Sequence, residues 1–333
     1  MAHKALIGGT AYNITGGKSL VSGTSYNITS GRTLVGGTRY DIMFGPPYAA
    51  MLYSDGNMVF QIGTDVEEGK TLVASYTGFV NTSYNFGSYA PWLGKRNNIT
   101  HVLFKDDIAT DSMSFWFYGA RNLTTVDFIN INWSSLRNIA YAYYNCYNLT
   151  GSPVCGNNVT NMYMTYSGCY NLTGSPVCGD NVTNMHRTYY NCRNLTGSPA
   201  CGNNVTSMLS AYYHCINLGI NLTSNPILAK DNVTNMYYAY YNCTNLGTNR
   251  AYHNFYIYSK EVTSMTNCFY NCNFFNASYR INIYVPNNSN TLKIISNNSQ
   301  SVNIFGKQIN WTNYTNYYYN STYFIYIYTN KIN

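Results

Sequence analysis

Residues 148–162 read NLTGSPVCGNNVTNM, and the motif returns as NLTGSPVCGDNVTNM at 171–185 and as NLTGSPACGNNVTSM at 194–208. The first residues of these copies are 23 positions apart. A fixed period of this length is typical of solenoids, in which each coil buries its apolar side by stacking on the next coil. The repeat therefore decides the fold, and it predicts an elongated scaffold rather than a protein built around a catalytic pocket.

Each repeat ends on a cysteine that is preceded by two regularly placed apolar residues. In one copy these are Met162, Tyr166 and Cys169. Their spacing of i, i+4, i+7 places all three side chains on one face of a short helix, which we predict to face the core. Thr160, just before this segment, is the predicted N-cap of the helix. Across the repeats the three positions hold Ile139, Met162, Met185, Met208, Met236 and Met265; Tyr143, Tyr166, Tyr189, Tyr212, Tyr240 and Phe269; and Cys146, Cys169, Cys192, Cys215, Cys243 and Cys272.

The register extends on both sides of the three clear copies. Met113, Phe117 and Ala120 indicate an earlier coil, and two later coils are lengthened by insertions near 225–230 and 248–259. About seven coils are expected, in line with the several stacked repeats that such folds need for stability. The sequence thus predicts an α+β solenoid, a leucine-rich-repeat-like stack of strand–short-helix coils over residues 98–275.

A second repeat opens the chain. KALIGGTAYNITGG begins at Lys4, KSLVSGTSYNITSG at Lys18 and RTLVGGTRYDIMFG at Arg32, with a period of 14. Paired glycines between short alternating runs predict β-hairpins. Such a ribbon has little core of its own, so we expect residues 1–45 to be ordered by assembly with partners.

The remaining segments are predicted to be β-rich. Residues 46–97 have strand-like runs and form a predicted small β module that connects the ribbon to the solenoid. Residues 276–333 are rich in aromatic and β-branched residues, which favour strands. Because solenoids need terminal caps, this segment is the predicted C-terminal β cap.

The repeat resembles a known family. The run V-T-N-M, followed by an aromatic residue and then by N-C-x-N-L, is similar to the BspA-like leucine-rich repeats of bacterial and phage surface proteins. MLYSDGNMVFQIG at 51–63 and the Gly-rich start resemble regions of phage virion proteins. The resemblance implies a right-handed leucine-rich-repeat-like stack and a role in adhesion or display. It supplies no catalytic residues.

Composition narrows the classes of function. Charged residues make up only 9% of the chain, and the net charge of +7 comes without a Lys/Arg run, so direct nucleic-acid binding is not expected. No stretch approaches the roughly 20 apolar residues of a membrane span. The N-terminal residues also lack the apolar region of a secretory signal. We therefore expect a virion protein assembled in the host cytoplasm, with the bacterial cell surface as the alternative location.

The usual signs of catalysis are missing from the sequence. The ten cysteines follow the repeat and are interpreted as buried free thiols that act as small apolar residues, rather than as disulfides or metal ligands. Nothing marks the two placed carboxylates that a polysaccharide-degrading enzyme needs. No catalytic residue, metal site or cofactor is predicted, and the protein is not expected to be an enzyme.

One recurring side chain is a candidate ligand-facing surface. A tyrosine stands two residues before most of the repeat cysteines and is interrupted by Ser167. On a helix this position faces away from the core. The rings either stack from coil to coil as a structural feature, or they form a platform for sugar or protein recognition, to which tyrosine is suited. The residues are Tyr144, Tyr190, Tyr213, Tyr241 and Tyr270.

These observations lead to one function with two alternatives. The chain is expected to be a phage virion structural protein of the fibre or appendage type. It is also expected to be a homotrimer, because the fibre proteins that it resembles are commonly trimers. Its ribbon would bind other virion proteins, and its solenoid would attach to a glycan or protein of the host surface. The alternatives are a bacterial cell-surface adhesin and a polysaccharide-degrading tail protein.

Overall fold

A computed structural model describes most of the chain. The backbone is described for residues 3–7, 10–15, 18–21, 24–27, 32–35, 38–41, 48–79, 84–128, 130–249, 251, 253–275, 281–287, 289–314, 317–320 and 325–329. Side chains are described from residue 48 onward within these ranges, apart from 275, 302, 313–314, 317–320 and 325.

The N-terminal repeats contain antiparallel strand pairs. Four strands form one antiparallel sheet in the order β1-β2-β3-β4, and two more form the separate pair β5-β6. The strands are β1 (His3–Ile7), β2 (Thr10–Thr15), β3 (Lys18–Val21), β4 (Thr24–Asn27), β5 (Arg32–Val35) and β6 (Thr38–Asp41).

A five-stranded mixed sheet follows and leads into the 23-residue repeats. Its order is β11-β10-β8-β7-β9, with β7 antiparallel to β8 and β9, and with β10 parallel to β8 and β11. Phe60 of this sheet packs against Trp92 and Trp116, with ring centroids 5.3 and 5.2 Å away. The first repeat is thus joined to the sheet by a continuous aromatic core. The strands are β7 (Tyr48–Tyr53), β8 (Asn57–Ile62), β9 (Leu72–Thr77), β10 (His101–Phe104) and β11 (Thr125–Asp127), and a 3₁₀ helix spans Leu93–Asn98.

The predicted solenoid of strand–short-helix coils is wrong. The segments predicted as helices consist of turns, and isolated parallel bridges, such as Asn161↔Asn184, link each repeat to the next. Between β11 and the 3₁₀ helix at Asn273–Phe275, the described residues form only two regular elements, the short strands β12 (Ile227–Ala229) and β13 (Asn254–Ile257). From residue 48 onward, the described residues therefore form two small mixed sheets and a few short helices, with stacked turns between the sheets.

The hydrogen bonds explain why no helix forms. Alternate backbone N–H groups donate to the next repeat, as Tyr141 does to the carbonyl of Tyr163 and Tyr143 to that of Thr165, both at 2.9 Å. The N–H groups between them close tight turns, as Tyr144 does onto the carbonyl of Tyr141 at 3.2 Å. An α-helix would need every N–H to bond four residues back. We call this arrangement the repeat stack.

Backbone conformation also excludes a helix. Two positions in each repeat, five residues and one residue before the cysteine slot, have a left-handed backbone; Arg187 (φ 53°) and Asn191 (φ 62°) are one such pair. This region is incompatible with a right-handed helix and is tolerated best by glycine and asparagine. The second position holds Gly119, Asn145, Gly168, Asn191, His214, Asn242 and Asn271.

The predicted core residues are buried even though the helix is absent. The Met, aromatic and Cys positions are at most 3% exposed in every repeat. The buried rings lie parallel, for example Tyr166 on Tyr189 at 5.6 Å and Tyr189 on Tyr212 at 5.4 Å. We call these rings the core ladder; its members are Phe117, Tyr143, Tyr166, Tyr189, Tyr212, Tyr240, Phe269 and Phe305.

Polar side chains connect the repeats instead of capping helices. The Thr160 hydroxyl, predicted to cap a helix, donates to the carbonyl of Arg137 in the preceding repeat at 3.2 Å. The Cys192 thiol likewise donates to the carbonyl of Tyr166 at 3.0 Å. Equivalent thiol–carbonyl hydrogen bonds recur from repeat to repeat, so each inner repeat is bonded to the repeat before it and to the repeat after it.

The C-terminal segment, for which the sequence predicts a β-rich cap, contains short helices as well as strands. It contains helices α1 (Asn290–Ile295) and α2 (Ser301–Phe305), and α2 covers the end of the core ladder, because Phe305 stacks on Phe269 at 5.7 Å. The N–H of Phe269 donates to Ile304 in α2 at 2.9 Å, since no further repeat follows. A six-stranded mixed sheet in the order β12-β13-β14-β17-β16-β15 lies in this part of the chain. Its remaining strands are β14 (Ile281–Tyr284), β15 (Thr312–Tyr314), β16 (Tyr317–Asn320) and β17 (Ile325–Tyr328).

The lengths of the helices bear on the expectation that the chain does not span a membrane. Over the described ranges, no helix is both long enough and apolar enough to span a bilayer.

Candidate binding surface

The tyrosines predicted as a candidate surface form a second set of stacked rings beside the core ladder. Tyr190 lies on Tyr213 at 4.6 Å, Tyr213 on Tyr241 at 4.7 Å and Tyr241 on Tyr270 at 4.9 Å, with planes within 8° of parallel. Tyr144 is stacked in the same way, at 5.0 Å, on Tyr118. We call this set the outer ladder; it consists of Tyr118, Tyr144, Tyr190, Tyr213, Tyr241 and Tyr270.

Sequence reasoning missed Tyr118. It stands two residues before Ala120, which occupies the cysteine slot of the earliest repeat, so the same spacing rule would have found it. The omission arose because that repeat lacks the cysteine used as the reference point.

The outer ladder is accessible where the core ladder is not. Tyr189 is fully buried, whereas its neighbour Tyr190 is half-buried, and Tyr270 is 38% exposed. The left-handed residues on either side of these positions turn the chain so that adjacent tyrosines point to opposite sides. Stacked rings with exposed edges and hydroxyls offer both apolar faces and polar tips to a ligand.

A row of polar side chains runs alongside the outer ladder, one residue before each cysteine slot. The Oδ1 atom of Asn191 lies 3.2 Å from Nδ1 of His214, and Nε2 of His214 lies 2.6 Å from Nδ2 of Asn242. Nδ2 of Asn271 then donates to Oδ1 of Asn242 at 2.8 Å. Because a carbonyl oxygen only accepts, Nδ1 of His214 donates and its Nε2 accepts, which requires the neutral ring. Burial, together with Arg193, lowers the pKa of His214 and favours that form.

We call this row the amide row. The sequence did not clearly indicate it, because the position holds Asn, His or Gly in different repeats.

Arginine side chains border the same surface. Tyr147 and Tyr170 stack at 4.9 Å, and each ring is covered by a guanidinium from a neighbouring repeat, Arg121 over Tyr147 and Arg193 over Tyr170, both at 5.2 Å. Cation–π contacts of this kind hold exposed cations in place. This surface therefore combines ordered rings with positive charge.

The cysteines form no site in the described part of the chain. All ten are free, and no group of three or more potential metal-ligating side chains occurs among the described residues. Burial raises the pKa of the thiols, from the ordinary value of 9.0 to about 11 for Cys155 and for Cys201. These thiols are protonated at neutral pH and are poor nucleophiles.

Thiol reactivity should therefore be low in the folded protein. At pH 8 a pKa of about 11 leaves a thiolate fraction roughly a hundredfold below that of a free cysteine, so Cys155 should react with a thiol reagent that much more slowly than in denaturant. Labelling followed by mass spectrometry measures this. Folding favours the protonated form of these thiols. The part of the folding stability that comes from this preference is complete below pH 9 and is lost as the pH rises toward 11. Fast labelling of Cys155 in folded protein at pH 8 would contradict this assignment.

Part of the repeat stack is similar to a described protein family. Residues 179–282 match a family model described as "Mycoplasma protein of unknown function, DUF285". The match covers less than half of the chain and includes the repeats that end at Cys192, Cys215, Cys243 and Cys272. No curated protein and no solved structure matches the chain.

Proposed function

We propose that this protein is a non-enzymatic attachment protein, a fibre-like virion appendage whose repeat stack presents the outer ladder to a glycan or protein of the host surface. The observation that supports it is the parallel arrangement of half-exposed tyrosines at 4.6–5.0 Å. These rings lie outside the core and extend over several repeats.

The geometry suits binding because the rings are already ordered. A tyrosine has few rotatable bonds, and stacking fixes it further, so little conformational entropy is lost when a ligand binds. The repeated rings present the same group at regular intervals along the stack. A polymer with repeated units, such as a surface polysaccharide, could contact several of them at once.

The ribbon of residues 1–45 is the proposed attachment to other virion proteins and to sister chains, in a homotrimer. Two antiparallel sheets in this segment end in edge strands that pair with another described strand on one side only, and such edges are suited to pairing with another chain. The matched family, described from Mycoplasma, favours the second candidate, a bacterial cell-surface adhesin. Detection in purified virions supports the first candidate, and recovery from the surface of uninfected cells supports the second.

Replacement of Tyr213 by serine tests the role of the outer ladder. Serine occupies the equivalent position in another repeat, at Ser167, so the fold should tolerate it. We expect binding of the purified protein to host cells to weaken about tenfold, because one of the two inner rings of the four-ring run is lost. The apparent Kd from a cell-binding titration measures this effect.

Tyr258→Ser is the matched control. Tyr258 is also half-buried but lies outside the outer ladder, so its replacement should leave binding unchanged. Equal affinity of Tyr213→Ser and wild type, with both proteins folded, would argue against recognition through these rings.

A further inference from the structure

The outer ladder and the amide row are interrupted in the same repeat. Where other repeats carry Tyr-Asn, as at 144–145 and 190–191, this repeat carries Ser167 and Gly168. The interruption removes one ring and one amide at the same level of the stack. It separates the pair Tyr118–Tyr144 from the run that begins at Tyr190.

A cavity of about 220 Å³ occupies this level, lined by Tyr144, Ser167 and Tyr190 among others. Ser167 and Gly168 are buried and form its floor. Each repeat advances the ladder by one ring spacing, so Tyr144 and Tyr190 are separated by roughly twice the ~4.8 Å that divides neighbouring strands. We call this space the ring slot. It is smaller than the ~300 Å³ of ordinary ligand pockets and has room for one ring.

Two half-buried side-chain amides at the edge of the ring slot have hydrogen-bonding groups that no described protein group uses. Within the described residues, the Asn145 side chain makes no hydrogen bond, and Asn191 uses only its Oδ1, toward His214, which leaves its Nδ2 free. The Asn145 amide leans into the space left by Gly168, because a Cβ atom there would lie 2.3 Å from Oδ1 of Asn145. The amides of Asn145 and Asn191, on opposite sides of the slot, can therefore form hydrogen bonds to the edge of a ligand.

One positively charged side chain lies at the ring slot. Arg187 lines the cavity, and its guanidinium carbon lies 5.7 Å from the centre of the Tyr190 ring. Tyr213 stacks on one face of Tyr190, so the guanidinium lies over the face that borders the slot. Arg187 is exposed, and no carboxylate lines the cavity.

We propose that the ring slot binds a single pyranose ring of a glycan and prefers one that carries a carboxylate. One apolar face of the sugar would stack on Tyr144, its hydroxyls would bond the amides of Asn145 and Asn191, and Arg187, which covers the slot-facing side of Tyr190, would pair with the carboxylate. This deepens the proposed function and rests on it. An aromatic side chain of a partner protein would fill the space between the rings but would leave both amides unpaired, which is unfavourable for partly buried groups.

The test uses a variant that fills the slot with the residues of its own neighbours. Ser167→Tyr combined with Gly168→Asn reproduces the Tyr-Asn of 144–145, and asparagine already adopts the required left-handed backbone at Asn145 and Asn191. The probe is methyl glucuronide, with methyl glucoside as the neutral comparison and p-cresol as the aromatic one. Saturation-transfer NMR and calorimetry on the full chain measure binding.

We expect wild type to bind methyl glucuronide weakly, with a Kd of roughly millimolar size for so small a ligand, and methyl glucoside about tenfold more weakly. The filled variant should keep its thermal midpoint and lose binding of both sugars. Arg187→Met, which places the residue that Met164 supplies in the preceding repeat, should reduce binding of the glucuronide to that of the glucoside.

Three results would overturn the proposal. They are the absence of sugar binding to wild type, unchanged sugar binding by the folded double variant, and binding of p-cresol in place of the sugars. The proposed function is judged separately by the Tyr213→Ser cell-binding titration. If that variant binds cells more weakly while the slot variant binds them as wild type does, the attachment function stands and the ring slot is not its sugar site.

Discussion

Replacing Tyr189 by alanine is expected to lower the free energy of unfolding by about 3–5 kcal/mol, as is typical for large buried aromatics. Tyr189 is fully buried and stacks on a ring on each side, Tyr166 at 5.6 Å and Tyr212 at 5.4 Å. Its hydroxyl donates to the carbonyl of Val177 at 2.6 Å and accepts from the N–H of the same residue at 3.1 Å. Alanine would leave a cavity in the middle of the core ladder and two unpaired backbone groups.

Chemical denaturation of two further variants separates these contributions. Tyr190→Ala, at the adjacent half-buried position, should cost much less, because its ring borders solvent. Tyr189→Phe keeps the stacked ring and should cost about 1–3 kcal/mol, because the partly buried N–H and carbonyl of Val177 both lose their hydrogen-bond partner. Phenylalanine already stands in the core ladder at Phe117 and Phe269. Equal costs for Tyr189→Ala and Tyr190→Ala would mean that the two ladders are assigned to the wrong sides.

The sequence predicted which residues are buried but not the backbone that buries them. The spacing of Met162, Tyr166 and Cys169 fits one face of a helix, and these three side chains are indeed buried together. The same spacing is also produced by a chain that alternates tight turns with bonds to the next repeat. Apolar periodicity reports which side chains share a face, and it does not distinguish hydrogen bonds within a segment from those between segments.

A clearer signal lay in the residues with a left-handed backbone. Asn145, Gly168 and Asn191 recur one position before the cysteine, where asparagine and glycine are unfavourable in a helix but favourable at positive φ. The recurrence of asparagine and glycine there indicated that the segment is not a helix, although its apolar periodicity is that of a helix.

The candidate surface was predictable in part. The repeat spacing identified the tyrosines at 144, 190, 213, 241 and 270, and three of the four stacking contacts that define the outer ladder join residues of this set. The fourth contact, between Tyr118 and Tyr144, includes the tyrosine that was missed. The amide row was not predictable, because it depends on side-chain orientation at a variable position. The ring slot arises where both rows are interrupted, and only the structure brings Asn145 and Asn191 to the same opening.

Replacing Gly202 by alanine is the second substitution with a large expected effect, a loss of about 1–3 kcal/mol in the free energy of unfolding. Gly156, Gly179 and Gly202 are buried at the same position of successive repeats. A Cβ atom on Gly202 would lie 2.2 Å from the carbonyl oxygen of Gly179, so the backbones of two repeats would have to separate. Because a backbone atom cannot swing away as a side chain can, the strain would extend to neighbouring repeats.

Gly94→Ala is the matched control for this prediction. Gly94 is exposed in the 3₁₀ helix Leu93–Asn98, and a Cβ atom there would meet nothing within 4 Å. Alanine at Gly94 should be neutral or slightly stabilising, since it reduces the freedom of the unfolded chain. Denaturation midpoints of the two variants provide the comparison. If Gly202→Ala were as stable as Gly94→Ala, the repeats would have to be packed less closely than the glycine positions indicate. Close backbone approach would then no longer explain why glycine stands at 179 and 202.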